Sequence, residues 1–433
     1  MKFSRKSIVT LTLASILMVS LVGCGSKGSV STSSSKGVVN LTMWVHETDS
    51  PEGKLYKQRV ADFNKVNKGK INVKLTAIPR TGDASGYDDK VNAAVTTNGL
   101  PDVLTCDGPT VAAEADAGIL APIDSYVNKS DLKDFNPDII KQGTYNGKLY
   151  GLGAMDSSVV IYYNKAMFAA AGITAPTDLK SAWTWDQLES NAKKLTTAKV
   201  FGINMSLNSG GEWNTYAFLP FVQSNGGQII SNDGKSSTGY INSNKTVQAV
   251  SYIKKLVDEK VVSKTPIDNS FELGKAAMTL TGTWEQAALA KYPNLKYGIM
   301  PYPVSSTNAK AVSPCGSWGF YMTKNTASDK QKAAVDLIKF MTNTQSCIDM
   351  YKANGMPPAR KTSLSKIKDF QSLPLKIVSE QLQKTATPRP LTPDYPVLSD
   401  GFSKAIANAI SGQNPKASLD SAAKQIDTQL GNR

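Results

Sequence analysis

Between Val39 and Ala77 the hydrophobic period runs two, then helical, then two again, and this alternation restricts the chain to folds built on βαβ units. Val39, Leu41, Met43 and Val45 alternate with Asn40, Thr42 and Trp44, as in a strand whose successive side chains point to opposite faces. Ser50-Pro51 then opens a helix with Leu55, Tyr56, Val60, Phe63 and Val66 on one face. Ile71, Val73, Leu75 and Ala77 restore the strand period. The same reading predicts strands over 102–106, 158–163 and 276–280, and helices over 165–171, 247–257 and 333–341. A further amphipathic helix over 185–195 has Thr184 as its cap. The expected class is α/β, with open sheets and ligands at the carboxyl ends of strands.

The N-terminus is a separate matter. Lys2, Arg5 and Lys6 precede an apolar stretch from Ile8 to Val22 that closes on Leu21-Val22-Gly23-Cys24. A run of about fifteen residues is short for a membrane span and suits an export signal over 1–23. Its ending resembles the lipobox of bacterial lipoproteins, which implies cleavage before Cys24, a lipid on that residue and an anchor at the extracytoplasmic face of a membrane. Residues 24–37 are almost wholly Gly, Ser, Thr and Lys, a flexible tether too polar to fold.

About 395 residues remain, too many for a single core, so two lobes are expected. The net charge of +14 falls by three with the leader, and the remaining lysines are scattered, which argues against a nucleic-acid stripe. Beyond Cys24 the cysteines are Cys106, Cys315 and Cys347. An odd number leaves a free thiol, and a Cys106–Cys315 bridge stays open. A lone histidine, His46, leaves little material for a Ser-His-Asp triad or a His-based zinc site. G-x-S-x-G, H-E-x-x-H and the P-loop are absent. Ser190-Asn191-Ala192-Lys193 matches S-x-x-K without its S-D-N and K-T-G companions. No enzyme, metal or cofactor is expected; a two-carboxylate glycosidase stays open because it needs no motif. An envelope adhesin would show repeats, and none are found.

An ordered set of segments carries a wider resemblance: Tyr87-Asp88-Asp89-Lys90, Leu100-Pro101-Asp102-Val103 into Asp107, Gly147 to Leu152, Tyr162-Tyr163-Asn164-Lys165, Thr184-Trp185-Asp186, Gly274 to Trp284, and Gly316-Ser317-Trp318-Gly319. The chain resembles the extracellular solute-binding proteins of ABC importers, in the sugar-binding branch that includes the maltose-binding type. The resemblance implies a two-lobed fold with a hinge and an interlobe cleft. Lobe one would take 38–148 with 318–359, and lobe two 149–317 with 360–433. It also implies a monomer that delivers its ligand to membrane permease subunits.

Sugars offer apolar C–H faces and rings of hydroxyls, so their receptors need aromatic platforms with carboxylates, amides and Arg at the edges. Trp44 and Glu47 at the end of the first strand, Trp213 in a Gly-rich loop, and Trp318 are candidates on these grounds. The resemblance adds Trp284 with Thr283, Asp107, Asp156 with Ser157, Tyr87, Gly316 with Ser317, and Arg389. Three carboxylates beside four indoles favour a neutral carbohydrate. The Tyr87, Asp107, Gly316 and Arg389 matches keep glycerol phosphate, or a glycerophosphodiester, as the alternative.

Overall fold

Two small sheets, each packed on both faces, organise the chain. In this computed structural model residues 37–80, 85–264, 267–316 and 318–431 are described. The export signal, Cys24 with its tether, and Ser317 lie outside them.

The first sheet runs Ile71–Ala77, Val39–Val45, Val103–Asp107, Trp318–Met322, Gly151–Gly153. Its first three strands are parallel, and Trp318–Met322 is antiparallel to both neighbours. Alternation decides the faces. Leu41, Met43 and Val45 enter one core with Tyr56, Val60 and Phe63 of the helix Pro51–Val66, each such side chain contributing about 1.5–3 kcal/mol on burial. Leu104, Cys106 and Tyr321 enter a second core with Tyr87 and Val91 on the other face. The helix begins as predicted: Ser50 Oγ accepts from the Gly53 amide at 3.0 Å, and Pro51 occupies the first turn. Val66 departs from the expected face, being 70% exposed, because the helix ends there.

The second sheet is antiparallel, in the order Met278–Gly282, Val159–Asn164, Tyr297–Met300. Ile161, Met278 and Leu280 face the larger core, together with Leu188, Phe218, Phe221, Ile253 and Phe402. Val160, Tyr162 and Ile299 face a smaller one with Phe271 and Val378. The helix Trp185–Leu195 starts on a full capping box, in which Thr184 accepts from Gln187 and Gln187 returns a bond to Thr184.

The chain passes between the sheets several times. Ser313–Cys315 pairs in parallel with Ala386–Pro388, and the Asp156 amide donates to Pro357 O at 2.8 Å. The expected lobe boundaries shift here. Gly151–Gly153 is an edge strand of the first sheet, and Leu149, Leu152 and Met155 lie in its core, so lobe one extends past Lys148. Arg360 likewise turns back to lobe one, its guanidinium bonded to Asp131 at 2.8 and 2.9 Å. Cys106, Cys315 and Cys347 are all free and buried. Among the described residues no helix is long and apolar enough to cross a membrane.

Candidate functional site

A cleft of about 430 Å³ lies between the two sheets, within the range of small-molecule sites. Its first wall grows from the carboxyl ends of the strands of sheet one. His46 follows the first strand, its Nδ1 at 3.0 Å from Thr105 Oγ1, and its ring stacks on Trp318 with centroids 3.8 Å apart and planes 16° from parallel. Burial, helped by Arg80, pulls the His46 imidazole well below its ordinary value and keeps it neutral. Arg80 itself lies over the Trp318 ring at 5.1 Å. Glu52, in the first turn of its helix, accepts from Tyr56 Oη at 2.5 Å and Asn354 Nδ2 at 3.0 Å. Burial pushes Glu52 up to about 7, so its 3.5 Å contact with His46 Nε2 joins a neutral imidazole to a carboxyl group that is about half protonated at neutrality. Glu47, Met155 and Met356 complete this side.

The second wall is aromatic. Trp284, 39% exposed, meets Trp213 edge-on at 6.1 Å and Tyr216 at 6.2 Å. Its indole lies across Gly282, where an added Cβ would sit 2.2 Å from the ring carbons, so the glycine makes this orientation possible. Trp213 and Tyr216 stand on the helix Gly211–Ser224, and Trp213 Nε1 donates to Met205 O at 3.1 Å. The Gly-rich segment expected as a loop up to Asn214 is therefore helical from Gly211. Gly210 and Gly211 hold positive φ at its entry, which few other residues adopt.

Arg389 joins the walls. Its Nη1 and Nη2 reach the Asp107 carboxylate at 3.3 Å each, Nη1 also bonds Glu212, and the guanidinium stacks 4.7 Å over Tyr216. Burial works against its charge, yet Asp107, Tyr395 and Glu212 outweigh this and hold it protonated. Glu212 is fixed further by Tyr395 Oη and by Ser399 Oγ at 2.5 Å.

The chain crossings form the floor. Asp156 Oδ1 accepts from the amides of Ser157 at 2.9 Å and Gly316 at 3.0 Å. Ser157 Oγ bonds Gly316 O and sits 2.7 Å from Tyr216 Oη. Gly316 has φ 150°, and a Cβ there would meet Arg389 Nη2 at 2.6 Å. Burial, with Asp138 nearby, pushes Asp156 up to about 7.

Of the residues singled out in the sequence, Glu47, Asp107, Ser157, Trp213, Trp284, Gly316, Trp318 and Arg389 line this one cavity. Four candidates stand elsewhere. Trp44 packs on the second core of lobe one beneath Lys90, whose Nζ lies 5.4 Å from its ring; the helix Ser85–Thr96 covers the face to which the pleat turns it. Tyr87 is in that same core, its hydroxyl spent on Thr105 O at 2.8 Å. Asp156 is 1% exposed and faces backbone amides. Thr283 is wholly buried and donates to Met356 Sδ across the lobes at 3.2 Å. Sequence reasoning passes over Glu52, Arg80, Glu212, Tyr216, Asn354 and Met356, although Glu52 and Glu212 share a signal: each is the acidic residue in the first turn of a helix that begins at the cleft.

A family model described as bacterial extracellular solute-binding protein matches residues 58–376. A maltooligosaccharide ABC transporter solute-binding lipoprotein of Streptococcus pneumoniae is 25% identical over 95% of this chain and 94% of its own. A maltodextrin-binding protein of Bacillus subtilis is 26% identical over 92% and 91%. Among solved structures, an ABC substrate-binding protein of Listeria monocytogenes in complex with cycloalternan superposes with a TM-score of 0.76 and 26% identity, over 91% of this chain and 99% of that one. The shared architecture is the two-lobed α/β fold.

Proposed function

Because this chain belongs to the family of bacterial extracellular solute-binding proteins, we propose that it captures a carbohydrate between its lobes and delivers it, chemically unchanged, to the permease of an ABC importer. Family and fold are those of binding proteins, not of enzymes. The carrying observation is the cleft lining: Trp213, Tyr216, Trp284 and Trp318 offer faces for sugar C–H surfaces, while Glu47, Glu52, Asp107 and Glu212 offer acceptors for hydroxyls. The names of the relatives, which bind maltooligosaccharide and maltodextrin, point the same way.

Arg389 bears on the choice between sugar and glycerol phosphate. Its charge is already met by two carboxylates, and Arg80 is the other cation of the lining, so a phosphate would face net negative surroundings. A neutral sugar meets no such penalty. In this reading Trp284 stacks on the ligand, and Glu47, Asp107, Ser157, Trp213, Trp318 and Arg389 contact or orient it. Cys24 carries a lipid, and 24–37 leash the body to the extracytoplasmic face of the cell membrane.

Calorimetry against mono-, di- and oligosaccharides and glycerol phosphate tests the proposal. One saccharide is expected to bind at one equivalent near micromolar Kd, about 8 kcal/mol, without products. Binding of glycerol phosphate alone, or turnover of an oligosaccharide, would refute it.

A further inference from the structure

The segment that carries Trp284 is tied to lobe one by a side chain before the indole and another after it. Thr283 Oγ1 donates to Met356 Sδ at 3.2 Å, and Gln286 Nε2 donates to Gly355 O at 3.2 Å. The Gln286 amide has two carbonyl oxygens beside it, Gly355 O and, at 3.4 Å, Thr283 O, so its nitrogen is the end that faces them. The receiving turn allows a close approach. Gly355 ends the helix Thr344–Asn354 at φ 75°, a left-handed value that favours glycine, and a Cβ there would stand 3.0 Å from Gln286 Cβ and 3.3 Å from Thr283 O.

The same turn holds the opposite wall. Asn354 Nδ2 donates to Glu52 Oε2 at 3.0 Å, while Asn354 Oδ1 accepts from the Met356 amide at 3.0 Å, and both Asn354 and Met356 are buried. The connection from Glu52 to the Trp284 segment therefore runs through residues 354–356 and one glutamine. Glu52 and Trp284 line the cleft, whereas Gln286 and Gly355 stand outside the lining.

We propose that Gln286 is a positioning residue for sugar capture: through Gly355 it holds the indole platform of lobe two at a set span from the Glu52 carboxyl of lobe one. The inference rests on the carbohydrate reading of the cleft. A sugar ring stacked on Trp284 then finds a hydroxyl acceptor already in place, and less ordering is left for binding to supply. The indole itself stays free to tilt, because the ties reach the residues flanking it and not the ring.

Calorimetry with the panel of mono-, di- and oligosaccharides on the full-length wild type, Gln286→Glu and Gln286→Ala tests the assignment. Gln286→Glu keeps the shape but turns a carboxylate on two carbonyl oxygens, so the Kd of the saccharide that the wild type binds is expected to rise about tenfold; Gln286→Ala, which only removes the donor, should raise it about threefold. In a Trp284→Ala background neither change should add more than about twofold, since a residue that acts through another loses its effect with it. Acrylamide should also quench the Trp284 share of the fluorescence, taken as the difference from Trp284→Phe, more readily in Gln286→Ala than in wild type. Unchanged affinity in both variants would overturn the proposal, even with a lowered denaturation midpoint, as would a full effect of Gln286→Glu without the Trp284 indole. Should Gln286→Glu fold poorly, Gln286→Ala decides. A wild type that binds no saccharide refutes the reading of the cleft instead, and the quenching comparison then decides the tie alone.

Discussion

The two walls of the cleft are built on different physical terms. On lobe one, Trp318 is clasped between His46, stacked at 3.8 Å, and Tyr87, edge-on at 5.7 Å, while Glu52 is tied to Tyr56 and Asn354. Nothing there turns without breaking a neighbour. On lobe two, Trp284 is 39% exposed and stacks on no other ring, meeting Trp213 edge-on at 6.1 Å and Tyr216 tilted by 31° at 6.2 Å. The first wall is a preset surface and the second an adjustable one. Binding is then expected to draw stability-neutral affinity from lobe two and geometric selectivity from lobe one.

The sharpest way to break this comparison is to remove the residue that belongs to both walls. Arg389→Met leaves Asp107 and Glu212 facing each other without a cation, and should cost about 3–5 kcal/mol of stability by chemical denaturation, with sugar binding lost from calorimetry. Trp318→Ala should cost about 3 kcal/mol of stability, because its stacking partners are left against a void. Trp284→Ala should do the reverse: affinity falls by about 1–3 kcal/mol while stability moves by less than about 1 kcal/mol. If Trp284→Ala unfolds the protein and Trp318→Ala spares it, the assignment of preset and adjustable walls is inverted.

The last test is pH dependence. Asp156 and Glu52 are each pushed up to about 7, chiefly by burial, from ordinary values of 3.8 and 4.5. Each therefore binds its proton more tightly in the folded protein, and its contribution is fully present below about pH 4 and lost as pH rises toward and through 7. Over pH 5 to 8 these groups should lower stability as pH increases, by about 2–3 kcal/mol each, read as a falling melting temperature. Asp156→Asn should flatten its share of that slope. A steeper slope in Asp156→Asn than in wild type would contradict the cause assigned to it.

Local signals were legible where one turn of chain suffices. The helix Trp185–Leu195 could be read because Thr184 and Gln187 cap it within four residues. The first strand could be read from alternation alone, and so could the opposition of Trp44 to Val45. What covers the face to which Trp44 points could not, because the helix Ser85–Thr96 is a separate stretch of chain placed by tertiary packing. Gly210-Gly211 suggested a loop around Trp213, whereas positive φ at both glycines starts a helix there. Tyr216 and Glu212 were hidden for that reason. Arg389 and Asp107, 282 positions apart, meet through long-range closure that no local period encodes.

One carboxylate at the chain crossings has a mechanical consequence. Asp156 holds the amides of Ser157 and Gly316, which belong to two different passages between the lobes, and Gly316 O returns bonds to Ser157. The two passages are thereby stitched into a single axle. If the jaws part to admit a solute, they must swivel about that line with both strands turning together, so the path of opening has one dominant degree of freedom.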